Sequence, residues 1–195
     1  MATWRSLMGD RAGTAKSDEL EPGALGLDKG EVRLVPHNPQ WILLGLLECD
    51  TVARLLGDAS RDVVHVGSTA VPGLEAKPIL DIAASVDDDT LIDDVVARLC
   101  AGGEYIYQGD KHDQGGLLFV RGHGPFRTVH VHVVGAGSRA WVSYLRFRRL
   151  LADDPAARER YQSAKRRLAR QFPMDRLGYT GAKSAVVEEL LASAG

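Results

Sequence analysis

The chain has 195 residues, enough for one compact domain with a full core. A hydrophobic content of 45% and a charged content of 26% exclude a disordered or fibrous chain and match a soluble globular protein. A net charge of −2 gives no electrostatic reason to expect nucleic acid as a partner, and no apolar run reaches the length of a membrane span.

Residues 1–30 mix Gly, Ala, Ser and charges without periodicity, and read as a flexible arm ahead of a single domain over 31–195. Trp4, Leu7 and Met8 could dock on the body or on a second copy, so a homodimer stays open. The N-terminus lacks the apolar core of a signal peptide, and Cys49 and Cys100 fall in helical apolar patterns. Both features point to free thiols in a reducing cytoplasm, without a disulfide framework or a cysteine zinc site.

Glu31 to Val35 alternates as a strand. Asn38 can cap a helix whose first position suits Pro39, and Trp41, Leu44, Leu47 and Leu55 follow at helical spacing up to Gly57. Val63, Val64 and Val66 read as a short buried strand that breaks at Gly67-Ser68. Small residues there let the backbone approach another group closely, and successive N–H groups can face an anion. Pro72-Gly73 is a turn, and Ile79 to Ala84 reads as a second buried strand. Asp81 interrupts that strand with a carboxylate. Burial there is costly unless the group is paired, hydrogen-bonded or metal-bound, so Asp81 is the first residue to assign to chemistry.

Asp87, Asp88 and Asp89 open a predicted helix over 90–101, where the helix dipole explains them without a metal. Residues 104–108 and 116–121 read as strands. Lys111, His112 and Asp113 lie between them, in either a site loop or a hairpin tip. Phe126 to Val134 alternates strictly, which puts Thr128, His130 and His132 on one face and Val129, Val131 and Val133 on the other. Two imidazoles two residues apart can converge on one ion or one anion. The rest is helical: 139–152 after Ser138 as cap, 155–171 after Asp154, and 179–194. The second of these is very basic, and Arg158, Arg160, Arg166 and Arg167 read as its solvated face.

The run His-Val-Gly-Ser-Thr-Ala-Val-Pro-Gly-Leu-x-Ala-Lys-Pro-Ile-Leu-Asp-Ile over 65–82 resembles the signature of the GrpB family of nucleotidyltransferase-like proteins. The His-x-His strand, Phe147-Arg148, Tyr161, Lys165 and Tyr179-Thr180-x-Ala182-Lys183 extend the resemblance over about 31–192. It implies an α+β fold: a nucleotidyltransferase-like mixed β-sheet with flanking helices and a C-terminal helical segment. It also implies a Gly-Ser turn that holds nucleotide phosphates and strand carboxylates that hold Mg²⁺.

Carried onto this chain, the phosphate-binding residues would be Gly67, Ser68, Thr69, Lys77, Arg127, Arg146, Lys165 and Lys183. Asp81, His130 and His132 would be both catalytic residues and metal ligands. The superfamily pattern has two carboxylates at i and i+2 of one strand, whereas Asp81 is followed by Ala83. One divalent ion on a mixed Asp/His set is then expected, and such a set suits Mn²⁺, Zn²⁺ or Fe²⁺ better than Mg²⁺. Arg149 and Gly181 stand where relatives commonly carry acidic residues. The implied reaction uses a nucleoside triphosphate to modify or activate a small-molecule acceptor. The alternative is a catalytically inactive nucleotide- or anion-binding accessory domain, since GrpB-like domains also occur fused to dephospho-CoA kinase.

Overall fold

The computed structural model describes residues 25–87, 90–111 and 116–194. Trp4, Leu7, Met8, Asp88, Asp89, His112 and Asp113, raised by the sequence, lie outside them. In chain order the elements are β1 Leu27–Asp28, α1 Gln40–Leu56, β2 Ser60–Val66, β3 Leu80–Val86, α2 Ile92–Cys100, β4 Tyr105–Asp110, β5 Leu117–Arg121, β6 Phe126–Arg127, β7 Val129–Gly135, α3 Arg139–Asp153, α4 Pro155–Gln171 and α5 Arg176–Ser193. The result is a mixed α+β fold, as expected.

The sheet runs β2-β3-β7-β5-β4. The β3–β7 pair is parallel and the other pairs are antiparallel. A parallel pair needs a long crossover, and α2, β4, β5 and β6 fill it. Strand alternation sorts the two faces. Leu80, Ile82 and Ala84 of β3 join Val129, Val131 and Val133 of β7 in one core with Trp41, Val52, Leu56, Val95 and Leu99 of α1 and α2. On the other face Val66, Ala83 and Val134 pack against Trp141 of α3. Phe147, Leu151, Tyr161 and Leu190 of α3 to α5 close over Val71 and Leu74, so the loop after β2 is held from the helical side.

The predicted strand over 31–35 is reduced to a single bridge between Val35 and Ala76. Its alternation serves another purpose, because Val32 packs between Leu168 and Tyr179 at the α4–α5 seam. The packed body also starts earlier than Glu31: Leu25 and Leu27 are buried, and β1 pairs with β6. The predicted strand over 126–134 divides at Thr128, whose N–H and hydroxyl both turn to the Arg121 carbonyl.

The helix caps follow the sequence closely. Asn38 accepts from Gln40 N–H, Ser138 from Trp141 N–H, and Asp154 from Ala156 and Ala157 N–H. The last helix starts at Arg176 rather than at 179, because Asp175 accepts from Gly178 N–H and caps it there. Among the described residues no helix is long and apolar enough to cross a membrane.

Candidate active site

Strand register assembles the centre of the site. Asp81 pairs across with His130, and Ala83 with His132, so the carboxylate and both imidazoles share the face toward α3 to α5. His132 thus stands beside the position where a second strand carboxylate would project. The Asp81 carboxylate oxygen Oδ1 lies 3.1 Å from His130 Nδ1 and 4.0 Å from His132 Nε2. One ligand atom from each of the three residues falls within 4.8 Å of the others.

Protonation follows from the contacts. Burial alone would raise the Asp81 pKa, but the hydrogen bond from His130 and the charges around the carboxylate outweigh it. The carboxyl is held well below the usual carboxylate range. Burial pushes His130 the other way, toward the neutral ring. The pair is an ionised acid beside a neutral imidazole whose Nδ1–H donates to it.

A small cavity opens beside this pair, lined among others by Ser68, Thr69, Lys77, Lys165, Tyr179 and Lys183. It admits about 30 Å³, the room of one or two waters. Ligand pockets for small molecules run to roughly 300–1,000 Å³. Lys165 donates to Ser68 Oγ at 3.1 Å and to the Glu75 carbonyl, and its ammonium lies 4.8 Å from the Tyr161 ring centroid. The Lys77 ammonium lies 5.3 Å from the Tyr179 ring centroid. Tyr161 and Asp81 outweigh burial at Lys183 and hold it above its ordinary pKa.

The turn after β2 is held by two histidines. His65 Nε2 meets Thr69 Oγ1 at 2.9 Å, and His37 Nε2 meets the Thr69 carbonyl at 3.3 Å. Helix α1 crosses so near that a Cβ at Gly45 would collide with the His65 ring. Burial lowers His65 to about 4, so it is neutral and acts as a hydrogen-bonding post. Gly67 has φ 72° and ψ −170° and lies directly against the Asp81 carboxylate.

Of the residues the sequence proposed, the structure brings together Gly67, Ser68, Thr69, Lys77, Asp81, His130, His132, Lys165 and Lys183. Arg127 donates to the Gly124 carbonyl at the edge of the group. Arg146 is exposed on α3 and does not line the cavity. Arg176 was missed. Its guanidinium lies 2.8 Å from His130 Nε2. Arg176, Tyr179 and Lys183 fall at i, i+3 and i+7 of α5, one helix face turned to the sheet. Among the basic residues read as solvated, Arg166 pairs with Glu75 and Arg160 with Glu189, both away from the cavity.

The lysines give the cavity a pH dependence. Burial first, then the charge of Lys183, lowers Lys77 and Lys165 each to about 7. In the unfolded chain a lysine titrates near 10.4, so between about pH 7 and 10 the unfolded state binds more protons and stability rises with pH. A bound dianion reverses the penalty on the charged amines. Sulfate should therefore raise the melting temperature more at about pH 6.5 than at about pH 8.5. A sulfate effect equal at both pH values would place the anion away from Lys77 and Lys165.

Comparison with known proteins bears on the family and the fold. The model of the GrpB protein family matches residues 31–193. The glutamate-rich protein GrpB of Alkalihalophilus pseudofirmus is 31% identical over 170 residues, covering 86% of this chain and 98% of that protein. A dephospho-CoA kinase of Mycolicibacterium paratuberculosis is 29% identical over 178 residues, covering 80% of this chain and 44% of that one. A crystal structure of GrpB from Enterococcus faecalis shares the fold at a TM-score of 0.70 and 26% identity, covering 83% of this chain and 99% of that one.

Proposed function

This chain belongs to the GrpB family, and from that premise we propose that it is a nucleotidyltransferase-like enzyme. It would take the phosphate end of a nucleoside triphosphate beside a divalent ion and modify or activate a small-molecule acceptor. The observation that carries the reading is the meeting of two site types: the Asp81, His130 and His132 donors lie within 4.8 Å of one another, and Asp81 and His130 line a cavity shared with Lys77, Lys165 and Lys183.

The donor set fits a metal. One carboxylate and two imidazoles suit Mn²⁺, Zn²⁺ or Fe²⁺, with Mg²⁺ a poorer match. When bound, the ion supplies Lewis-acid polarisation of a phosphoryl oxygen. The chain's own residues do the rest. Lys77, Lys165, Lys183 and Arg176 neutralise phosphate charge, which is the main demand of nucleotidyl and phosphoryl transfer. Gly67 leaves room for the Asp81 carboxylate, and Ser68 and Thr69 carry the turn that faces the phosphates. His132 lies next to Tyr144 at 5.4 Å between ring centroids, and whichever of His130 and His132 the ion does not take is the candidate base for the acceptor. A cavity of about 30 Å³ would receive phosphate and leave ribose and base outside. A cytoplasmic nucleotide pool is the matching location.

One observation favours a second reading, an anion-binding accessory domain. Four cations stand against a single carboxylate, and one of them, Arg176, already engages His130. The region shared with a dephospho-CoA kinase is compatible with that role.

A thermal-shift series on metal-stripped protein separates the two. ATP, GTP, CTP and UTP are each tested with and without Mg²⁺, Mn²⁺ or Zn²⁺. The enzyme reading expects at least one nucleotide to stabilise only with metal, by about 2.7 kcal/mol at a hundredfold excess over Kd. Stabilisation that ignores metal would support the accessory domain, and no shift with any nucleotide would sink the enzyme reading and leave a metal- or anion-binding module.

A further inference from the structure

We infer that Arg176 and a divalent cation exclude one another at His130, so that Arg176 must leave before the Asp81–His130–His132 site can be loaded. The inference rests on the metal reading proposed above.

The argument is one of donors and acceptors. Arg176 lies 2.8 Å from His130 Nε2, and Asp81 Oδ1 lies 3.1 Å from His130 Nδ1. A guanidinium only donates, so Nε2 must present its lone pair and Nδ1 must carry the ring proton to the carboxylate. Both ring nitrogens are then engaged. A cation at Nε2 would need the lone pair that Arg176 holds. A cation at Nδ1 would send the ring proton to Nε2, where it would face an N–H of Arg176 donor to donor. In either case the Arg176–His130 hydrogen bond is lost. Charge adds to this, because a guanidinium and a dication would share the same imidazole.

The structure leaves Arg176 a way out. It is the first residue of α5, and its neighbours Met174 and Leu177 are 73% and 87% exposed. Once displaced, Arg176 stays on the helix face that carries Tyr179 and Lys183, beside the phosphate end of the cavity. Metal loading would thereby hand a cation from the histidine to the substrate phosphates, linking the two binding events.

The test is a Mn²⁺ titration of the intact chain, wild type against Arg176→Met, with Arg127→Met as a control. Arg127 adds positive charge near Arg176 but donates to a backbone carbonyl and not to His130. Arg176→Met should bind Mn²⁺ roughly 10-fold or more tightly than wild type, the worth of one charge-assisted hydrogen bond, and Arg127→Met should change little. Wild type gives an independent reading. Long-range ¹H–¹⁵N spectra should show His130 protonated at Nδ1 without metal, and Zn²⁺ should either shift the Nε2 signal or move the proton from Nδ1 to Nε2, according to the nitrogen it takes.

Equal affinity in wild type and Arg176→Met, or weaker binding by the variant, would overturn the exclusion while leaving the metal site standing. A gain matched by Arg127→Met would reduce it to general charge and overturn it too. Absence of Mn²⁺ binding in every protein would instead bring down the metal reading, and this inference with it.

Discussion

Asp81→Asn should abolish metal-dependent stabilisation by nucleotide and weaken Mn²⁺ binding by on the order of 100-fold or more. Even partners that only orient a ligand cost 10–100-fold when removed, so a direct ligand costs at least that. Asn keeps the shape of the side chain and an acceptor for His130 Nδ1–H. It removes the negative charge that the His130 hydrogen bond and the nearby Lys183 help to hold ionised. The same substitution discriminates between the two functional readings. A site that only binds anions should keep or improve its sulfate affinity in Asp81→Asn, because the one carboxylate opposing the anion is gone. Asp81→Asn protein that still shows metal-dependent nucleotide stabilisation would sink the assignment of Asp81 as a ligand.

The parts of the site legible in the sequence are those written in strand periodicity. Alternation placed His130 and His132 on one face, and a charge within an apolar strand singled out Asp81. The register that sets Ala83 opposite His132 is a property of pairing and is invisible along one strand. Arg176 escaped for a local reason. It follows Phe172-Pro173, which reads as a helix stop, and Asp175 restarts the helix three residues earlier than the apolar pattern does. His65 was visible within the signature, but its grip on Thr69 depends on α1 crossing above it.

Helix α1 shows the same limit on the opposite face of the sheet. Its fully buried positions are Trp41, Gly45, Glu48, Val52 and Leu56, whereas Leu47, read as part of the apolar stripe, is 40% exposed. A glutamate in the core stripe cannot be foreseen without its partners. These are the Tyr105 hydroxyl and the Arg121 guanidinium, 57 and 73 residues further along the chain.

Gly67→Ala should cost stability and metal binding together, and the two costs have separable origins. The backbone at Gly67, with φ 72° and ψ −170°, lies in a region that essentially only glycine occupies, a strain of about 1–3 kcal/mol for any other residue. A Cβ there would also fall 2.6 Å from Asp81 Oδ2, closer than real contacts allow. Either the turn or the carboxylate must move. A turn held by His65, His37 and Lys165 resists, so the carboxylate should swing away from His130 and weaken the metal site. The total loss should reach about 3 kcal/mol or more, near the upper end for single substitutions.

A double-mutant cycle with Asp81→Ala isolates the carboxylate contact, because truncation removes the 2.6 Å approach to Oδ2 and leaves the backbone strain and a tight 3.0 Å approach to the residue 81 Cβ. In that background Gly67→Ala should cost only about 1–3 kcal/mol in urea unfolding, and the two losses should fail to add. Full additivity would mean that the glycine serves the turn alone. Coupling would show that its small size is what allows Asp81 to stand against the Gly-Ser turn, where carboxylate, imidazoles and lysines can reach one ligand.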